Sequence, residues 1–301
     1  MRSLSFLARL LAAAAANDLT RGLAALGSAA ENCATRAGAA GLDFARCVQD
    51  AASYPNFLLP RPLFDEALRN ASCRLPGASR ALRRHTLDIS AGGSDCSEQA
   101  RRLDVEVFRE HPPVALIKGF APNATCARLL LVAGGLDSLS PAVARGVAGG
   151  FYRRSSSKNV ANHELDAHPA LQSLRAEMFL AAKQLTGYSL NSTSPEPLNI
   201  AAYRNPGDEY RPHCDGRCSG DRHRPGERVA TSILYCQVPT EGGHTTFTHD
   251  ALKIAPSEGD LLVFGYLIGQ TMARGEAEHS ACPVLAGGKW IATQWYAEEN
   301  G

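Results

Sequence analysis

At 301 residues, with 45% hydrophobic content and a mean hydropathy of −0.18, the chain can bury a core as one large domain or two modest ones. The 31 basic and 30 acidic residues leave a formal net charge of +1, which removes any global electrostatic case for nucleic acid or an anionic membrane as partner. No apolar run after the N-terminus is long enough to cross a bilayer, so no membrane span is expected.

The chain opens Met1-Arg-Ser-Leu-Ser-Phe-Leu-Ala-Arg-Leu-Leu-Ala-Ala-Ala-Ala-Ala16, a basic start followed by an apolar run and small residues. Residues 1–19 read as a signal peptide, which implies the secretory pathway, with the endoplasmic reticulum or Golgi lumen as destination. Arg2 and Arg9, with no acid before Asp18, also fit a mitochondrial presequence, the alternative address. Nine cysteines, at 33, 47, 73, 96, 126, 214, 218, 236 and 282, are many for a cytosolic chain. Those before residue 130 lack CxxC spacing, so disulfides are expected there rather than zinc, with connectivity left open by the spacing. Sequons at Asn70, Asn123 and Asn191 agree with a secretory, glycosylated chain.

Residues 20–105 carry Ala, Leu and Arg at helical spacing, broken at Pro55, Pro60, Pro62, Pro76-Gly77 and Gly92-Gly93, and are read as a helical, cysteine-containing extension. The texture changes near Leu103, and residues 106–301 are read as the main domain. Val105–Phe108 and Val114–Lys118 have strand composition. Pro122–Leu131 reads as a capped helix, residues 142–162 as loop, and Pro169–Lys183 as an amphipathic helix with apolar positions at 171, 174, 178, 181 and 182. From Pro197 the pattern becomes short strands: 198–204, 209–214, 229–237, 244–248, 251–255, 260–266, 277–284 and 289–297. Turn clusters such as Asn205-Pro-Gly207 and Glu241-Gly-Gly243 separate them. Short strands at this spacing predict a double-stranded β-helix, or jelly roll, with supporting N-terminal helices, α+β in class.

Chemistry concentrates in Tyr210-Arg-Pro-His-Cys-Asp-Gly-Arg217. On a strand, His213 and Asp215 point to one face and Cys214 to the other. A third ligand should come from a late strand, and His279 is the candidate. Two histidines and a carboxylate hold a divalent metal while leaving positions open for substrate and oxygen, whereas a structural zinc site is closed and richer in thiolate. Lys289, ten residues further on, can anchor the far carboxylate of a keto acid whose other end reaches the metal. His244 and His249 near the Gly-Gly turn, and His163 and His168 at a loop and helix start, are better explained structurally.

This spaced set resembles the Fe(II)/2-oxoglutarate dioxygenases, and in particular prolyl 4-hydroxylase catalytic domains. The likeness extends through Leu198–Tyr203, Gly207-x-x-Tyr210-x-Pro-His213-x-Asp215, Arg228–Tyr235, Glu241–Phe247, Ser257–Phe264, His279-x-x-Cys-Pro-Val284 and Gly288-Lys-Trp290. Upstream, Phe151–Ser155 and Leu185-Thr-Gly187 belong to it too, so it runs from about Pro113 to Glu298.

The resemblance implies iron on His213, Asp215 and His279, and 2-oxoglutarate on Lys289 with Tyr203 bonding it. It implies O2 as co-substrate and L-ascorbate as reductant of misoxidised iron. A proline-containing polypeptide would be hydroxylated, with release of succinate and CO2. Arg153 and Trp295 are candidates for contact with that polypeptide. The alternatives are the same chemistry on lysyl residues or a small molecule, and a non-catalytic jelly-roll binder, which would not need an open metal face. The stretches 214–218 and 265–275 depart from the family pattern, and the peptide-binding domain of the collagen-type enzymes is not recognisable in residues 20–105. No sequence feature assigns an oligomeric state.

Overall fold

The computed structural model describes Cys33, Cys47, Cys73, Arg74 and residues 77–89, 101–142, 153–192, 196–250 and 252–299. The signal-peptide reading, and most of the helical extension up to residue 72, lie outside the described residues.

Among the described residues two antiparallel sheets face each other. The strands of the larger sheet are β1 (Arg83–Ile89), β2 (Arg101–Glu110), β3 (Pro113–Ile117), β4 (Ser140–Pro141), β6 (Ser156–Val160), β7 (Leu198–Tyr203), β9 (Arg228–Gln237), β13 (Leu261–Gly265) and β18 (Lys289–Ala297). Their spatial order is β1-β2-β3-β13-β9-β18-β7-β6-β4. The smaller sheet takes β5 (Arg153–Arg154), β8 (Glu209–His213), β11 (Thr245–Phe247), β12 (Leu252–Ile254) and β16 (His279–Ala281), in the order β12-β11-β16-β8-β5. From β7 onward the chain passes repeatedly between the sheets. β7, β9, β13 and β18 lie in the larger, and β8, β11, β12 and β16 in the smaller. That alternation is the double-stranded β-helix expected from the strand spacing.

The centre of the larger sheet is buried on both faces. β7 is buried at every position and β9 at all but its two ends, which requires a second layer behind the sheet. That layer contains α1 (Asn123–Val132), α2 (Asn162–Asp166) and α3 (Pro169–Thr186). In α3, Leu171, Leu174, Met178, Ala181 and Ala182 are the buried stripe, the positions expected from the sequence. Pro169 occupies the first turn, where its missing N–H costs nothing. Gly187 ends the helix at φ 71°, a left-handed conformation that suits glycine.

Four disulfides form among the described residues: Cys33–Cys47, Cys73–Cys282, Cys126–Cys236 and Cys214–Cys218. Cys126–Cys236 ties α1 to β9. Cys73–Cys282 ties the extension to the smaller sheet, where Ser79 also exchanges hydrogen bonds with Lys253 on β12. Among the described residues no helix is long and apolar enough to cross a membrane.

Two expectations are corrected. The helical extension does not reach residue 105, because the sheet begins at Arg83 and a domain boundary at 106 would cut β2. Leu87 and Ile89 on β1, and Leu103, Val105 and Val107 on β2, are buried and alternate with Arg, Asp and Glu; this is strand periodicity. The segment 142–162 also contains β5 and β6. β6 is polar except for Val160 and owes its conformation to its ladder with β7 rather than to its composition.

Candidate metal centre

His213 ends β8 and His279 begins β16, and the two pair directly across the ladder. Their ring centroids are 4.3 Å apart. Asp215 follows two residues after His213, where the chain has left the strand, with Oδ1 3.5 Å from His213 Nε2 and Oδ2 3.6 Å from His279 Nε2. The three ligand atoms lie within 4.8 Å of one another, and no other such group of His, Cys, Asp or Glu occurs among the described residues.

The outer hydrogen bonds select the tautomers. His213 Nδ1 donates to the Arg211 carbonyl at 2.8 Å and His279 Nδ1 to the Ala277 carbonyl at 3.1 Å. Each Nδ1 is thereby protonated, and each Nε2 lone pair turns toward the Asp215 carboxylate. Burial and the neighbouring His213 ring push His279 down to about 4, so it is neutral near pH 7. Burial raises the Asp215 carboxyl, but His279, His213 and the Thr231 hydroxyl outweigh this and hold it well below the usual carboxylate range. Two imidazole Nε2 atoms and an ionised carboxylate therefore converge on one point. That donor set fits a divalent cation such as iron(II).

The same cavity, about 450 Å³ including its open mouth, contains Lys289, Tyr203, Arg153, Trp295 and all three clustered residues. Lys289 opens β18 opposite Tyr203 on β7 and is 2% exposed. Its ammonium donates to the Gly243 carbonyl at 2.8 Å and lies 5.3 and 5.5 Å from the ring centres of Tyr203 and Tyr235. No carboxylate pairs with it among the described residues, and burial lowers its pKa to about 7. A buried ammonium without a counter-ion is expensive unless a ligand supplies the negative charge.

Arg153 lies over the Tyr210 ring at 4.5 Å, and Tyr210 stacks on His213 at 3.5 Å, so the cavity mouth is braced against a clustered histidine. Trp295 carries the Arg228 guanidinium at 4.1 Å, and its indole N–H is buried without a partner. The structure also joins Cys214 to Cys218 around Asp215. His244, His249, His163 and His168 stay outside the cluster; His249 instead pairs with Asp250.

Sequence reasoning missed Thr231, whose hydroxyl donates to Asp215 Oδ2 at 2.8 Å, and Tyr266, which bonds Thr231. The available signal was weak: Thr231 and Ser232 are polar residues inside an otherwise apolar strand, and buried hydroxyls need partners.

Residues 198–297 match the 2OG-Fe(II) oxygenase superfamily. Among curated relatives, prolyl 4-hydroxylase subunit alpha-2 of Caenorhabditis elegans is 33% identical over 117 residues, 37% of this chain and 22% of the relative. Prolyl 4-hydroxylase subunit alpha-1 of Rattus norvegicus is 31% identical over 123 residues, 39% and 22% of the two chains. The chain thus spans about a fifth of the length of these relatives. Among solved structures, the viral collagen prolyl hydroxylase of Paramecium Bursaria Chlorella virus-1 with 2OG is 24% identical at a TM-score of 0.48, covering 62% of this chain and 96% of that one.

Proposed function

We propose that the protein, whose residues 198–297 match the 2OG-Fe(II) oxygenase superfamily, is an Fe(II)- and 2-oxoglutarate-dependent dioxygenase that hydroxylates peptidyl proline. The observation that carries this reading is the sharing of one cavity by the His213–Asp215–His279 cluster and the buried, unpaired Lys289. A dicarboxylic keto acid satisfies both ends at once.

His213 and His279, through Nε2 atoms freed by the Arg211 and Ala277 carbonyls, and Asp215, through its carboxylate, would hold the iron. Iron held there would supply the oxidising chemistry by which 2-oxoglutarate and O2 yield succinate, CO2 and a hydroxylated substrate carbon. Lys289 takes the distal carboxylate, and Tyr203, buried against it, closes that end of the cavity to water. Arg153 and Trp295 line the approach for a proline-containing polypeptide. Ascorbate is the expected reductant for iron oxidised in unproductive turnovers. The four disulfides support an oxidising, secretory setting, endoplasmic reticulum or Golgi, over the mitochondrial alternative.

The test is incubation of the iron-loaded protein with 2-oxoglutarate, ascorbate and a panel of proline-rich, lysine-containing and small-molecule substrates. Succinate release accompanied by the mass gain of one oxygen atom on proline is expected. Strong co-substrate turnover with oxygen appearing only on lysine or a small molecule would reject the proline assignment.

A further inference from the structure

Asp215 lies beyond the end of β8, outside any ladder, so contacts other than strand pairing must fix its carboxylate. Its main-chain carbonyl accepts from Arg228 Nη1 at 3.1 Å, and Arg228 is gripped by both carboxylate oxygens of Glu196. Its Oδ2 accepts from Thr231 Oγ1, which also bonds the Tyr266 hydroxyl. Thr231 and Tyr266 are buried, at 0% and 1% exposure.

Proton counting fixes the direction of this chain. Asp215, ionised as a metal ligand, only accepts. The Thr231 hydroxyl has a single proton, and it goes to Asp215. Tyr266 must therefore donate to Thr231. In a buried setting such consecutive bonds strengthen each other.

Tyr266 also seats the ligand loop. A side-chain carbon at Gly216 would come within 2.8 Å of the Tyr266 ring and 3.0 Å of the Arg228 carbonyl, so the loop rests directly on the ring. The ring is itself pinned through its backbone: the Tyr266 N–H donates to Val229 and its carbonyl accepts from Ala273. Beyond it β14 (Leu267–Ile268) and β15 (Thr271–Met272) form a hairpin. The Met272 N–H donates to Asp221, and the His223 N–H to Gln270, on the loop that follows Asp215. The two stretches that depart from the family pattern, 214–218 and 265–275, are thus parts of one support.

We propose that Tyr266 is a positioning residue for the metal centre. Its hydroxyl orients that of Thr231, which ties down Asp215 Oδ2 and leaves Oδ1 to the metal. The inference rests on the metal-site reading above, and the experiment separates the two.

Cobalt(II) is titrated by calorimetry and visible absorption into metal-free wild type and the variants Tyr266→Phe, Thr231→Val, Thr231→Ser and Asp215→Ala, with thermal midpoints measured in parallel. Tyr266→Phe keeps the ring under Gly216 and removes only the hydroxyl. It and Thr231→Val should bind cobalt about tenfold or more weakly, as loss of an outer-sphere partner does, and with an altered absorption band. Thr231→Ser should restore affinity and spectrum. Wild-type affinity and spectrum in a folded Tyr266→Phe, with binding lost in Asp215→Ala, would overturn the role of Tyr266 alone. Undiminished cobalt binding in a folded Asp215→Ala would overturn the metal site and the inference with it.

Discussion

Lys289 and Tyr203 stand opposite each other on β18 and β7, the ammonium 5.3 Å from the ring centre and neither side chain more than 2% exposed. Register places the cation, and burial leaves it without a carboxylate. The site is thereby incomplete until an anion arrives. Lys289→Met should weaken 2-oxoglutarate binding by roughly 10- to 100-fold, the scale of a lost charge-assisted bond of about 1.5–3 kcal/mol. Metal affinity should hold, as should the fold, since methionine fills similar space without a buried charge. A 2-oxoglutarate Kd unchanged in this variant would remove Lys289 from the site.

The same residue predicts a pH dependence. Burial lowers its pKa from 10.5 to about 7. Below about pH 7 the free protein already carries the charge the co-substrate needs. Above it, binding must take up a proton, so 2-oxoglutarate affinity should fall by up to about tenfold per pH unit. For folding, the unfolded chain keeps this proton between about pH 7 and 10.5 while the folded chain has released it, so this group makes stability rise with pH through that window. Urea midpoints of wild type and Lys289→Met, compared from pH 6 to 10, check the sign: only wild type should show this increment.

Cys126 and Cys236 close a loop with a sequence separation of 110 and clamp α1 onto β9. In the chain-entropy picture such a crosslink contributes about 4–5 kcal/mol. Replacing both cysteines by alanine should lower the thermal midpoint by on the order of 10 °C. Cys214–Cys218, at a separation of 4, should matter far less to the midpoint and more to metal affinity, because it brackets Asp215. Calorimetric scans and cobalt titrations of the two double variants compare these effects.

At the cavity mouth, Trp295 offers a buried indole N–H without a partner and Arg153 a guanidinium stacked on Tyr210. Trp295→Phe and Arg153→Gln should each raise the KM for the peptide about tenfold or more, the cost of a lost buried bond, while leaving that for 2-oxoglutarate unchanged. Equal changes in both constants would place these residues in the scaffold rather than at the substrate.

The jelly roll was legible because its strands are short, apolar and separated by Gly, Pro and Asp turns, so that β7, β9 and β18 were located to within a residue or two. The ligand pair was legible as a motif but not through strand geometry, because β8 ends at His213 and Asp215 lies beyond it. The edges were not legible. β1 and β6 are polar on their exposed faces, and pairing partners that no local pattern announces hold them in the sheet. The Tyr266–Thr231–Asp215 chain was equally hidden, because it joins β9 to a residue 35 positions on, in a stretch that reads as core. Disulfide pairing depends on tertiary proximity: Cys73 and Cys282 are 209 residues apart.

The proposed reaction is oxygen transfer to proline at the His213–Asp215–His279 cluster. Its most direct test is mass spectrometry of a proline-rich peptide after turnover under heavy-isotope dioxygen, with wild type and folded Asp215→Ala side by side. Wild type should place one labelled oxygen on proline and one in succinate, and Asp215→Ala neither. Labelled hydroxyproline formed equally by Asp215→Ala, or none formed by an iron-loaded wild type that turns over 2-oxoglutarate, would contradict it.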